Sequence, residues 1–225
     1  MSQAKKYEAI IFDLDGLMLD TESLCFKIMQ RLGVELGYSI TKELYIATIG
    51  REVEDVKQMF FDAFSADFPW DEIYKQESIL TWEYINEHGV AKKPGLMELL
   101  KFLDSTSLQK AVGTSTHREQ GIKKLEVTGL WNRFEAMVGG DEVKRGKPAP
   151  DIFLLAAERL GVAPEKCIVL EDSETGTIAA NKAGMTPIIV PDMVQPSNEI
   201  KQLAFGVFPS LVVVKEVLQE LCKAT

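Results

Sequence analysis

Short apolar runs that each stop at polar or acidic residues constrain this chain more than any other feature. They occur at 8–13 (EAIIFD), 109–115 (QKAVGTS), 134–139 (FEAMVG), 167–172 (CIVLED) and 186–190 (TPIIV), with a weaker run at 205–208 (FGVF). Runs that are apolar on both faces suit strands of a buried parallel sheet. Helical patterns lie between them. Residues 95–104 follow Pro94, and 151–160 follow Pro150 and stop at Gly161, a residue type suited to a helix C-terminus. Alternation of this kind predicts an α/β chain with a doubly wound, Rossmann-like parallel sheet.

The stretch from about 22 to 90 breaks the alternation. It carries successive helical patterns (ESLCFKIMQRLG, ITKELYIATIG, EVEDVKQMFFDAF, DEIYKQESILTWEYINEHG) with no strand-like run among them. The expected organisation is therefore an α/β core from 1–17 and 91–225 with a helical insert, a cap, at 18–90.

Composition excludes more than it identifies. Of 225 residues, 46% are apolar, enough for a substantial core, and 25 basic against 34 acidic side chains give a net charge of −9. That balance argues against nucleic-acid binding, which rests on clustered Lys and Arg. Cys25, Cys167 and Cys222 are scattered and show no zinc-ligand spacing, as in a reduced cytoplasmic protein. The apolar run before Asp13 is too short for a signal peptide or a membrane span. Trp70, Trp82 and Trp131 are expected in packing roles, and His88 and His117 at solvated or capping positions.

In parallel α/β sheets ligands bind at the carboxyl ends of strands. The first run ends in Asp13-Leu14-Asp15-Gly16, where carboxylates two apart can converge on one volume. Close carboxylates repel unless a cation or a proton relieves them, and magnesium prefers oxygen ligands. The run at 167–172 ends in Glu171-Asp172-Ser173, which either completes a metal site or caps the next helix. Thr114, Ser115 and Thr116 suit a phosphate oxygen at a helix start, or ordinary N-caps. Lys147, in GKPAPD, is a candidate anion ligand set in a loop between Gly146 and Pro148.

Together these pieces resemble the haloacid-dehalogenase superfamily. The matching motifs are Asp13 and Asp15 in FDLDG, Thr114 in VGTST, Lys147 in KPAPD, and Glu171 and Asp172 in LEDSETG, spanning roughly residues 8–190. GLMLDTE at 16–22 followed by a helical insert is similar to the α-helical-cap subgroup of β-phosphoglucomutase and phosphoglycolate phosphatase. The resemblance implies that Asp13 is the nucleophile and Asp15 the general acid and base. Magnesium would sit on Asp13, the Asp15 main-chain carbonyl and Asp172, with Glu171 direct or through water. Thr114 and Lys147 would hold phosphoryl oxygens, and Glu22, Gly50, Arg51, Ser115 and Thr116 would contact substrate. An acid at position 15 favours phosphoryl transfer over carbon–halogen cleavage.

The expected activity is hydrolysis of a small phosphorylated metabolite, a sugar phosphate or nucleoside monophosphate, by a monomer or weak dimer. A sugar phosphomutase is the alternative, against which stand Ile49 and Val53 where that group carries basic residues, and Cys25 in place of a histidine. A binding protein without catalysis is a further alternative, disfavoured because no motif residue is lost. No G-x-G-x-x-G follows any strand, which disfavours a dinucleotide enzyme.

Overall fold

The computed structural model describes residues 7–51 and 53–223. Glu52, where the third helical pattern of the insert opens, lies outside the described residues, as do residues 1–6 of the amino-terminal segment. Contacts divide the chain into two units. One comprises residues up to Asp20 together with Ala91 onward, and the other is Thr21–Val90.

The first unit is built on six parallel strands: β1 (Ala9–Phe12), β2 (Gln109–Gly113), β3 (Ala136–Val138), β4 (Cys167–Glu171), β5 (Thr186–Ile189) and β6 (Gly206–Val207). Their order across the sheet is β3-β2-β1-β4-β5-β6. Every apolar run in the sequence thus forms a strand, and the doubly wound α/β expectation holds. β1 is central, pairing Ile11 with Ala111 of β2 on one side and with Val169 of β4 on the other. All four of its residues are fully buried, as a central strand covered on both faces requires.

One sheet face presents Ala9, Ile11, Ala111, Val138 and Val169 to Ile152, Phe153, Ala156 and Ala157 of α7 (Asp151–Leu160) and to Ala179 and Ala180 of α8 (Glu174–Lys182). On the opposite face, Ile168 shares a cavity with Leu218 of α10 (Leu211–Lys223). α10 also packs against α5 (Leu96–Leu103), whose Leu96, Leu99, Leu100 and Leu103 form an apolar stripe at helical spacing. α6 (Arg118–Val127) runs between β2 and β3, and α9 (Asn198–Leu203) between β5 and β6. Gly161 ends α7 in the left-handed conformation, φ 66°, the role its position suggested.

The second unit is helical: α1 (Thr21–Glu35), α2 (Lys42–Thr48), α3 (Val53–Ala63) and α4 (Trp70–His88). Its interior is aromatic. Phe60, fully buried, stacks on Phe68 at 5.2 Å and meets Trp70 at 4.9 Å, while Tyr38 packs edge-on to Phe64 and Phe68. Trp70 therefore has the packing role expected of it.

The helical unit begins at Thr21, not at residue 18. Met18 and Leu19 are fully buried, and the chain segments at the boundary bind each other: Asp20 N–H donates to Ala91 O at 2.8 Å and Lys93 N–H to Met18 O at 2.9 Å. Among the described residues no helix is long and apolar enough to cross a membrane. Among the described residues no disulfide joins Cys25, Cys167 or Cys222.

Candidate functional site

The sheet order puts the ends of β2, β1 and β4 side by side, so residues more than 150 positions apart in sequence converge by topology alone. Asp13 follows β1 directly and its N–H continues the ladder to Leu170 O at 3.0 Å. Thr114 follows β2 in the same way, donating to Val138 O at 3.0 Å, and is 2% exposed. Glu171 is the last residue of β4 and fully buried.

Lys147 crosses to these strand ends from the loop between β3 and α7. Its Nζ lies 2.5 Å from Asp13 Oδ1 and 2.6 Å from Glu171 Oε1. The ammonium also stands 4.8 Å over the ring of Phe153, a buried α7 residue, so its stem and head are both fixed. Burial alone would depress the Lys147 pKa; the two carboxylates outweigh it and hold the ammonium above the ordinary lysine value.

Glu171 uses both oxygens. Oε1 takes the Lys147 bond, and Oε2 accepts from Asp172 N at 3.1 Å, Ser173 N at 3.0 Å and Ser173 Oγ at 2.8 Å. Ser173 in turn caps α8 by accepting from Gly176 N at 3.1 Å. Of the two roles open for the Glu171-Asp172-Ser173 segment, capping belongs to Ser173, which leaves the Asp172 carboxylate available. Gly16, φ 84°, turns the chain beside that carboxylate, and a Cβ there would lie 2.9 Å from Asp172 Cγ.

Burial pushes the Asp13 pKa up to about 7, with Lys147 opposing and Glu171 adding to the rise. Asp172 is likewise pushed well above the carboxylate range, first by burial and then by Glu171 and Asp13. Asp192, whose Oδ2 is buried without a hydrogen-bond partner among the described residues, adds to the negative field on Asp172. With all three ionised, the form a bound cation would favour, Asp13, Glu171 and Asp172 would set three negative charges against the one positive charge of Lys147, a deficit of two. Oxygen-only donors with that deficit fit a divalent cation such as magnesium. Two side chains, Asp13 and Asp172, carry the fit. Among the described residues no set of three or more His, Cys, Asp or Glu side chains converges as a metal cluster.

The Asp15 side chain points elsewhere. Its Oδ1 accepts from Lys124 Nζ at 2.7 Å and its Oδ2 from Thr116 Oγ1 at 2.6 Å. Any metal role of Asp15 thus falls to its main chain, as the resemblance implies. Thr116 N–H donates to Thr114 Oγ1 at 3.1 Å, linking the hydroxyls after β2 to Asp15. Ser115 is exposed beside them, and a Cβ on Gly140 would collide with its main chain.

The remaining candidates lie on the helical unit. Tyr45 OH donates to Glu22 Oε2 at 2.9 Å. Gly50 is at φ 78° with open space around it, and Arg51 Nε donates to Ala47 O at 2.8 Å, closing the end of α2.

Lys124 was not singled out from the sequence. The signal was there in its register: Gly121, Lys124, Leu125 and Thr128 form one inward stripe, so a lysine sits where an apolar residue is expected. The Lys93–Asp192 pair, 2.5 Å apart, was also missed, because nothing local marks two loop residues 99 positions apart as partners.

Residues 10–190 match the sequence profile of the haloacid dehalogenase-like hydrolases. A phosphorylated carbohydrates phosphatase of Thermotoga maritima is 33% identical over 218 residues, covering 95% of this chain and 98% of its own. A fructose-1-phosphate phosphatase of Escherichia coli is 32% identical over 186 residues, 83% of this chain and 97% of that one. Among solved structures, a hydrolase of the same superfamily from Deinococcus radiodurans, with bound phosphate and sodium, superposes with a TM-score of 0.83 at 27% identity, over 97% of both chains. The match spans the strand ends that carry Asp13, Thr114, Lys147 and Glu171, and the chain belongs to the haloacid dehalogenase-like hydrolases, as a phosphoric monoester hydrolase among them.

Proposed function

We propose that the protein is a magnesium-dependent phosphatase of small sugar phosphates that works through an aspartyl-phosphate on Asp13. The observation that carries this reading is the position of Asp13. It is a buried carboxylate at the end of the central strand, with Lys147 at 2.5 Å and in the electrostatic field of Asp172 from the β4 exit loop, the second side chain suited to a divalent cation.

In the first half-reaction an Asp13 oxygen attacks phosphorus, the bond from phosphorus to the ester oxygen breaks, and Asp15 gives its proton to the departing alcohol. In the second, Asp15 takes a proton from water, the water oxygen attacks phosphorus, and the bond to Asp13 breaks, releasing inorganic phosphate. Lys147 binds the phosphoryl oxygens while remaining tied to Glu171, so its charge is in place before substrate arrives. Thr114 stands at the same strand ends as a hydroxyl donor to those oxygens. Asp13, Asp172 and the Asp15 carbonyl would hold magnesium, which would supply charge neutralisation at the phosphoryl group when bound. Ser115 and Thr116, which follow Thr114 at the β2 exit, are assigned to substrate contact; Glu22, Gly50 and Arg51 stay candidates on the resemblance alone.

The phosphatase reading is favoured over a sugar phosphomutase by the relatives that hydrolyse phosphorylated carbohydrates and fructose 1-phosphate. Ile49 and Val53, apolar where a second phosphate would need basic residues, point the same way. The test is phosphate release from a panel of sugar phosphates, nucleoside monophosphates and phosphoglycolate, with magnesium, with EDTA, and with Asp13→Asn. Metal-dependent release from a sugar phosphate that vanishes in the variant supports the proposal, and release that survives Asp13→Asn removes it.

A further inference from the structure

A buried lysine on an inward helix stripe needs a reason, because an ammonium taken out of water without a partner costs several kcal/mol. Lys124 is 9% exposed, on α6 between Gly121 and Thr128. Gly121 explains how it gets there. A Cβ at that position would collide with the Met137 side chain and lie 3.5 Å from Leu14, so glycine lets α6 come down onto β3 and the segment after β1. One helical turn on, at i+3, the lysine side chain follows the same face and reaches Asp15.

What Lys124 meets there is a small closed network. Its Nζ lies 2.7 Å from Asp15 Oδ1 and 3.5 Å from Thr116 Oγ1, and Thr116 Oγ1 donates to Asp15 Oδ2 at 2.6 Å. Both oxygens of Asp15 are therefore held, one by a charge and one by a hydroxyl. Thr116 is itself fixed by its N–H bond to Thr114 Oγ1 at 3.1 Å. A carboxylate side chain on a surface loop samples several rotamers; this one is tied down by a helix on one side and the β2 exit on the other.

We infer that Lys124 is the positioning residue of Asp15: it sets the direction of the carboxylate that exchanges protons with the leaving alcohol and with water, without touching substrate or phosphorus itself. The inference rests on the phosphatase reading of Asp13 and Asp15. Proximity and orientation are where a proton-transferring group gains or loses its effect, so a loosened Asp15 still exists in Lys124 variants but spends less time aligned.

The leaving group separates positioning from mere folding. A sugar alkoxide needs a proton to depart, whereas p-nitrophenolate does not. Lys124→Met, and Lys124→Gln as a second variant that keeps a buried hydrogen-bond donor, are compared with wild type, Lys124→Arg, Asp15→Asn and Asp13→Asn. The substrates are fructose 1-phosphate and p-nitrophenyl phosphate, both with magnesium. The expected result for Met and Gln is a drop of about tenfold or more in kcat on the sugar phosphate. The rapid burst of p-nitrophenol that reports phosphorylation of Asp13 persists, with a slowed steady state. Lys124→Arg, which keeps the charge, recovers most of the sugar-phosphate turnover. Equal losses on burst and sugar phosphate in both variants, or no loss on either, overturn the role of Lys124. If Asp13→Asn still releases phosphate, the underlying reading fails whatever Lys124 does; if Asp13→Asn is inert and Asp15→Asn is selective while the Lys124 variants are not, the positioning role alone fails.

Discussion

Lys147 and Glu171 form an ion pair shut away from water, Nζ to Oε1 2.6 Å, with side chains 5% and 0% exposed. Asp13 shares the same ammonium at 2.5 Å, so one lysine serves two buried carboxylates from two adjacent strands. This couples Asp13, the proposed nucleophile, to the fold itself.

Removing that lysine leaves both carboxylates buried without a countercharge. Lys147→Met is expected to destabilise the protein by roughly 3–5 kcal/mol, read by urea denaturation, and to abolish turnover. Lys147→Arg keeps the charge but replaces a point donor by a planar fork, so it is expected to fold better than Met and still turn over poorly. A Met variant within about 1 kcal/mol of wild type would mean that the pair is neutral to stability.

Burial first, then Glu171 and Asp13, disfavour the charged form of Asp172 and raise its pKa well above the ordinary value. Asp172→Asn is expected to leave the metal-free protein at least as stable as wild type near neutral pH, because a neutral amide replaces a side chain whose charged form is disfavoured there. Magnesium at a hundred times its Kd should stabilise wild type by about 2.7 kcal/mol, and the variant by much less at the same concentration. Thermal melts with magnesium and with EDTA read both effects. An undiminished magnesium shift in the variant would exclude Asp172 as a ligand.

Gly16 combines φ 84° with a neighbour that leaves no room for a side chain, the Asp172 carboxylate. Gly16→Ala is expected to cost about 1–2 kcal/mol from backbone strain, and to displace Asp172. The diagnostic outcome is a reduced magnesium shift that exceeds any fall in melting temperature without metal. Ordinary metal response in a folded Gly16→Ala protein would show that the close approach is dispensable.

Glu142, in the turn after β3, accepts from Gly139 N at 2.9 Å and from the Arg159 guanidinium at 2.7 and 3.1 Å. The Arg159 hydrogen bond is the main reason its pKa falls below the ordinary 4.5, helped by the Gly139 N–H and by the charges of Arg159 and Arg118. A carboxylate depressed in the folded state contributes stability that is present above its unfolded pKa and lost as pH falls through the folded one. Glu142→Gln should therefore cost about 1 kcal/mol at pH 7 and flatten the loss of stability below pH 4.5, measured as urea midpoints from pH 7 down to 3. A variant that loses stability with acid as steeply as wild type would contradict the assignment.

Much of this protein is written locally. Strand runs such as IIF before Asp13 and CIVL before Glu171 are apolar on both faces and can only be satisfied inside a sheet, so all six strands were legible. Parallel strands then place their carboxyl ends at one edge, which is why Asp13, Thr114 and Glu171 could be nominated together before any coordinates. The extent of the helical insert was legible too, to within three residues, because 3.6-residue periodicity is a property of neighbours in sequence.

Partnerships were not. Asp13 and Asp15 look alike in FDLDG, yet the fold ties one to Lys147 and turns the other toward Lys124, 109 positions away. Which of Asp172 and Ser173 caps α8, and that both oxygens of Glu171 are engaged, follows from where the β4 exit meets Lys147 and the helix start. The elements, their order along the chain and the charged residues that end the strands can be read from local periodicity, because they depend on neighbours in sequence. Which charge faces which is set by the folded chain, because electrostatic pairing depends on distance in space and on exclusion of water, and neither exists until the sheet has closed.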